Sequence, residues 1–409
     1  MRQGPRTIHN LNTRRMTVYI VLQHFNLNRI LLLIVGLWPF QRSKLIQLQL
    51  MLFSGILTTF VVFQFTTFLK FECTTDFVLN ILSSSCLFSC GLIEYSAFWI
   101  NNDIIKHAIK KLQHMCNELQ NENEIAIIKK YGDRAKSLTK IFTMFAMCCI
   151  FSAIFLQIWT HLYYTDMSIN TSRSLRTMYI MTEYFIDREK YCYFIMLYEY
   201  AAYCIAGFAA VGTGTMLLAI LQHMCGMFSI VSFRIEQAVT TNMLSDLNQQ
   251  NQTIICKKIV DAIDIHRKTM EFCNFLTSNF EGSFFFLILV GMICLASSLV
   301  RVVSSISDMK QIVIPVISIS ICYVYLFISN YAAQEVMDHN NRIFDTAYNV
   351  QWYAASVRIQ KMILFLLQRG SKAFNLNLGG LFIGSVESAA MLMSTSISYF
   401  TFLYSTRQD

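Results

Sequence analysis

Seven stretches of this chain are apolar for about 20 to 25 residues each, the length a helix needs to cross bilayer hydrocarbon. They lie near 45–69, 77–100, 141–161, 199–221, 283–300, 311–334 and 380–404, with polar segments between them. The expected fold class is therefore an all-α membrane protein with seven transmembrane helices; a large soluble helical protein has no core able to hold seven such runs. The longer polar segments are themselves patterned. Ile105, Ala108, Ile109, Leu112, Met115, Leu119 and Ile128 recur at mostly helical spacing, which predicts that span two continues outward as a long helix. Ile255, Ile259, Ile263, His266, Met270 and Cys273 make a second stripe leading into span five, and Phe344, Tyr348, Trp352, Ala355, Ile359, Met362 and Leu366 a third. Amphipathic helices outside a membrane must bury their apolar stripes, so the three predict a packed anchor layer. The aromatic cluster Phe344, Tyr348, Trp352 and Tyr353 makes the third the expected contact between subunits.

Charge sets the expected orientation. Of the 33 basic residues, seven precede span one, and the segments near 101–140, 222–282 and 335–379 hold eight, five and five. The remaining eight (Lys70, Arg173, Arg176, Arg188, Lys190, Arg301, Lys310 and Arg407) fall on the other side. Loops rich in Lys and Arg stay in the cytoplasm, which predicts a cytoplasmic N-terminus and an extracellular C-terminus, the reverse of a G-protein-coupled receptor. The net charge of +8 follows from this bias and implies no nucleic-acid partner. The apolar run Ile30 to Trp38 is too short to span and ends at Pro39, so it reads as a cytoplasmic or interfacial segment. The whole chain reads as one domain.

Composition agrees: 55% of the 409 residues are hydrophobic and only 14% charged, against about 25% charged in soluble domains. Chemistry is sparse. No zinc-protease, phosphate-loop or nucleophile-elbow pattern occurs, and the 13 cysteines show no metal spacing, so no catalytic residue, metal or cofactor is expected. Cys73 and Cys192 fall in outer loops and are the one pair placed to form a disulfide. Asn170 begins a glycosylation sequon in a loop expected outside. The run Gly212-Thr213-Gly214-Thr215 lies inside span four, where small residues at helical spacing let helices approach closely. Two acids interrupt the spans. Glu94 lies toward the inner end of span two, within snorkelling reach of the interface. Glu387 lies about two turns inside span seven, where an acid faces a partner, water or a local serine.

The order of motifs resembles the insect odorant receptors, a family of seven-span chemosensory channels. The resemblance runs from Gly36-Leu37-Trp38-Pro39-Phe40 through Ile263-Asp264-Ile265-His266, Phe275-Leu276 and Phe280. It continues in Tyr348, Trp352 and the run 361–369, and is strongest in the stretch 385–388 and in Ser398-Tyr399-Phe400-Thr401-Phe402-Leu403. The Gln-Phe ending of gustatory receptors is missing, as is the long insertion of the shared co-receptor. The chain thus resembles a variable, ligand-binding subunit.

That resemblance implies a ligand-gated cation channel in a heterotetramer with co-receptor subunits, in the plasma membrane of olfactory sensory neuron dendrites. The runner-up is a gustatory-type homotetramer. The resemblance further implies that the last span, 380–404, lines the pore, with Phe402 and Thr406 as gate positions, Ser405 beside them and Glu387 deeper in. Its odorant pocket would lie among spans two to six, for which Tyr95, Phe98, Phe155, Trp159, Ala210, Thr213, Tyr323 and Tyr325 are the candidates. The expected ligand is small, volatile and apolar.

Overall fold

The computed structural model describes residues 23–41, 43–70, 73–119, 121–167, 182–186, 188–239, 249–305, 309–370 and 372–408. The basic N-terminal tail through residue 22, the sequon at Asn170, and Arg173 and Arg176 lie outside the described residues. Helices dominate: α1 Asn26–Ile34, α2 Lys44–Phe65, α3 Thr75–Ile100, α4 Asn102–Asn117 and α5 Glu122–Met167. Then follow α6 Arg188–Ala238, α7 Gln249–Ser304, α8 Met309–Asn349, α9 Val357–Gly370 and α10 Val386–Gln408. A two-stranded hairpin, β1 Asn377–Leu378 and β2 Phe382–Ile383, precedes α10.

Six of these helices are long and apolar enough to cross a membrane, within Lys44–Leu69, Phe77–Ile100, Glu122–Trp159, Lys190–Ala238, Gln250–Ser304 and Ile312–Asn349. The seventh expected span departs from the sequence reading. Its helix begins at Val386 rather than near 380, because Gly379 and Gly380 adopt positive φ in the hairpin turn. With 23 residues α10 is long enough to span, but its serines and threonines keep it out of the apolar set.

At 1.5 Å per residue, α5 to α8, with 46, 51, 56 and 41 residues, are about twice as long as the ~30 Å hydrocarbon layer. Their polar halves meet in one layer. Arg234 donates twice to Glu124, at 2.6 and 2.8 Å. Gln222 donates to Glu335 at 2.6 Å, and Arg134 pairs with the same carboxylate. Tyr131 meets His339 at 2.6 Å, and His266 meets Asn340 at 2.8 Å. Lipid tails are as apolar as leucine, so burial drives little association inside a bilayer. In the water-facing layer, burying each Leu or Ile contributes about 1.5–3 kcal/mol. Ile109, Leu112, Ile255 and Ile259, all at most 1% exposed, anchor the fold there.

The anchor helices break where the sequence pattern ran on. α3 stops at Ile100, and α4 is a separate helix, so span two does not continue as one rod. The stripe around 343–367 splits into the end of α8, a 3-10 turn Trp352–Ala354, and α9. The stripe into span five is one helix, as the spacing predicts. The run Ile30 to Trp38 is packed into the protein: Leu31, Leu32 and Val35 are buried, and Asn28 donates to Thr215 of α6 at 2.9 Å. Arg301 also departs from its reading as a loop residue. It is buried in α7 and donates to Ser83 of α3 at 3.0 Å. Ahead of α1, burial holds the His24 imidazole below the ordinary histidine range, with Asp133 at 3.5 Å pulling the other way. Cys73 is not bridged, so the pairing with Cys192 does not form.

Candidate functional site

Where α3, α5, α6, α7 and α8 converge, their side chains leave a cavity of about 340 Å³. Small residues at its edge let the surrounding helices meet closely. Gly91 of α3 faces Ala206 of α6 so closely that a Cβ on the glycine would sit 3.1 Å from the alanine methyl. Gly214 of α6 lets the Tyr325 ring of α8 lie against its backbone. The walls are aromatic and aliphatic: Phe88, Phe142, Phe145, Tyr203, Phe284 and Ile288 are among them. Leu376 and Leu378 close the end nearest the hairpin. Such a space suits a small apolar molecule held by shape and a few polar contacts.

One ionisable carboxyl lines the cavity. Glu94 is 6% exposed and accepts a hydrogen bond from Thr213 Oγ1 at 3.2 Å. The Tyr325 hydroxyl contacts the same carboxyl. The expected snorkelling toward the interface does not occur, because the helical phase of Leu87, Cys90, Gly91 and Glu94 turns the acid inward. That phase is readable in the sequence. Two small residues one turn before the acid, Cys90 and Gly91, are its signal, and Tyr95 and Phe98 lie outside the cavity lining.

The predicted pocket residues separate into three groups. Ala210 and Tyr325 line the cavity, and Thr213 stands behind Glu94 as its hydrogen-bond donor. Tyr95 and Phe98 are buried outside it. The Tyr95 hydroxyl donates to the Val35 carbonyl at 3.1 Å, and Phe98 packs on Phe280 at 5.6 Å between ring centroids. Phe155 and Trp159 stack on each other at 6.1 Å on the outer face of α5, 65% and 53% exposed. Tyr323 is outside the lining too: two positions from Tyr325, it points away around the helix.

A connection leads from cavity to α10. Leu378, in the cavity wall, also packs on Gly384, which abuts Ala333 of α8 just before α10 begins. Ser385 then caps α10, its hydroxyl accepting from the Ser388 amide at 3.0 Å and its own amide donating to Asn330 at 3.3 Å. Asn330 lines the cavity as well. Along α10 a stripe stays uncovered among the described residues: Glu387, Met391, Ser394, Ser398, Phe402 and Ser405, with Thr406 beside it. On the anchor side Tyr348 and Tyr353 are exposed, whereas Phe344 and Trp352 are half-buried, Phe344 against His266 and Gly370.

Comparison with known proteins was decisive for the family. The family described as "7tm Odorant receptor" matches residues 74–397. Odorant receptor 22c of Drosophila melanogaster is 22% identical over 192 residues, which span 44% of this chain and 45% of that protein. Odorant receptor 22b of the same species is 21% identical over 254 residues, 60% of this chain and 62% of that one. The matched stretches thus span about half to three-fifths of these relatives. The solved insect olfactory receptor OR5 from Machilis hrabei in complex with eugenol superposes with a TM-score of 0.74 at 18% identity, covering 95% of this chain and 99% of that one. A second structure of that receptor gives 0.65 at 17% identity, with 96% and 98% covered. At these identities the likeness shows the fold.

Proposed function

Because this chain belongs to the insect odorant receptor family, a family of multi-pass, non-enzymatic membrane proteins, we propose that it is the variable, ligand-binding subunit of an odorant-gated cation channel. It assembles with co-receptor subunits in a heterotetramer at the plasma membrane of olfactory sensory neuron dendrites. Its N-terminus is cytoplasmic and its C-terminus extracellular, in line with the distribution of basic residues. The observation that carries this reading is the apolar cavity whose wall residue Leu378 also packs on Gly384, two residues before α10.

In this reading α10 is the seventh span and lines the pore. Its uncovered stripe would face the pore and the neighbouring subunits, and its low apolarity suits a helix that meets water. Phe402 and Thr406 form the gate, with Ser405 beside them; a narrow apolar ring closes a pore by dewetting it. Glu387, expected two turns inside the span, stands in the first turn of α10 because the helix starts only at Val386, so it sits at the opposite end of the same stripe, at the inner mouth. Tyr348 and Tyr353, with Phe344 and Trp352 behind them, form the subunit contact. The ligand is a small, largely apolar volatile, of the general kind that eugenol represents in the Machilis receptor.

Gating is then a linkage. The odorant binds the open state better than the closed one, and raising the open fraction from 1% to 50% takes about 2.7 kcal/mol of differential binding. Whole-cell current during odorant exposure tests the assembly. Cells carrying this chain and a co-receptor should respond, and cells carrying this chain alone should not. Equal current from the chain alone would favour the gustatory-type homotetramer, and current abolished by blocking G proteins would refute the channel reading.

A further inference from the structure

We propose that Glu94 is the polar anchor of the cavity and selects ligands that carry a hydroxyl group, namely small apolar alcohols and phenols. The inference rests on the cavity being the odorant site. Among the residues lining it there is no Asp, Lys, Arg or His, and Glu94 is the only charged side-chain type present. Its carboxyl holds several lone-pair sites, of which Thr213 and Tyr325 address two. The contacts come from α6 and from α8, whose Tyr325 also lines the cavity. They fix the carboxyl at the wall, and two contacts leave part of its acceptor capacity for a ligand.

The chemistry of the walls makes this capacity selective. A ligand hydroxyl reaching Glu94 exchanges its bond to water for one to a strong acceptor. An ether or hydrocarbon of the same shape offers the carboxyl no proton, so Glu94 keeps only its contacts to Thr213 and Tyr325 and the ligand gains no hydrogen bond there. A site built to hydrogen-bond a hydroxyl rejects the analogue that lacks it far more strongly than an apolar pocket rejects a change of one methylene. Thr213 acts here as a positioning residue. Its hydroxyl also contacts the Ala209 carbonyl of its own helix, at 2.9 Å, so its rotamer is constrained.

The test uses the full-length chain co-expressed with a co-receptor, and whole-cell dose–response curves. The probes are straight-chain alcohols and simple phenols of about five to ten carbons, a size suited to such a pocket, each paired with its isomeric methyl ether. Wild type should prefer the hydroxyl member of the best pair by about tenfold in half-maximal concentration, the upper range of a net hydrogen bond. Glu94→Met should bring that ratio to within about threefold by weakening the alcohol response while the ether response persists, which also reports that the variant is folded. Glu94→Gln, which keeps a carbonyl acceptor, should retain an intermediate preference. Equal potency within pairs in wild type, or an unchanged ratio in Glu94→Met, overturns the anchor but leaves the cavity as the odorant site. Activation by no member of either series removes both.

Discussion

Ala210→Trp should raise the half-maximal odorant concentration by ten- to hundredfold while the protein still reaches the cell surface. Ala210 lines the cavity from the middle of α6, so an indole there extends into a space of about 340 Å³ and competes with the ligand. Overpacking of this kind typically costs about 1–3 kcal/mol, and each 1.4 kcal/mol is about a tenfold change in affinity. Here the added ring occupies empty space, so the cost falls on ligand binding more than on folding. Phe155→Ala supplies the contrast. Phe155 is 65% exposed on the outer face of α5, so its removal should leave ligand potency within about twofold, as substitutions away from packed sites do. A dose–response series with surface labelling reads both. If Phe155→Ala matched Ala210→Trp, the binding site would lie on the outer face of α5.

Gly379→Val should eliminate folded receptor. Gly379 has φ +64°, and a Cβ there would lie 2.7 Å from the Cα of Phe285. The obstacle is backbone, which cannot swing aside as a side-chain tip does. A β-branched residue at positive φ is a conformational outlier; that strain costs about 1–3 kcal/mol, and overpacking against α7 adds a similar amount. Together these come to about 2–6 kcal/mol, enough to reach the lower end of the about 5–15 kcal/mol that stabilises a typical domain. Gly282→Ala tests whether the effect belongs to the hairpin. No neighbour lies within 4 Å of its added Cβ, and replacing a mid-helix glycine by alanine gains about 0.5–1 kcal/mol. Thermal unfolding followed by size-exclusion fluorescence should show no monodisperse peak for Gly379→Val and an equal or higher midpoint for Gly282→Ala. A normal peak for Gly379→Val would mean that the hairpin turn is not required.

The contrast between these sites shows what the chain discloses by itself. Span lengths and the stripe Ile255 to Cys273 were readable because a long run of one period leaves little choice of structure. The break after Ile100 was hidden, since the apolar stripe resumes in α4 with nearly the same phase and no proline or glycine marks the gap. The turn at Trp352 was hidden for a related reason: its aromatic residues continue the stripe even though the backbone leaves the helix. By contrast, Gly379-Gly380 announced a turn that the apolar count near 380 concealed. The site was harder still. Of the candidates, Ala210 and Tyr325 border the cavity and Thr213 meets Glu94, which borders it. Tyr95 and Phe155 are as aromatic as any pocket wall, yet one faces the segment around Val35 and the other faces outward. Which side of a span meets a cavity depends on its neighbours, and periodicity within one helix does not contain them. Glu94 borders the cavity and its neighbour Tyr95 faces Val35, because about 100° of helical rotation separates adjacent positions.

Photo-crosslinking tests the central claim most directly: the cavity between α3, α5, α6, α7 and α8 holds the odorant. A small apolar agonist carrying a diazirine would be activated on cells expressing the assembled receptor, and adducts that excess agonist displaces would be mapped by peptide mass spectrometry. The account predicts displaceable adducts on cavity residues such as Phe88, Tyr203, Ala210 and Tyr325, with only non-displaceable labelling at Phe155 and Trp159. Displaceable adducts confined to the outer face of α5, or to the uncovered stripe of α10, would contradict it.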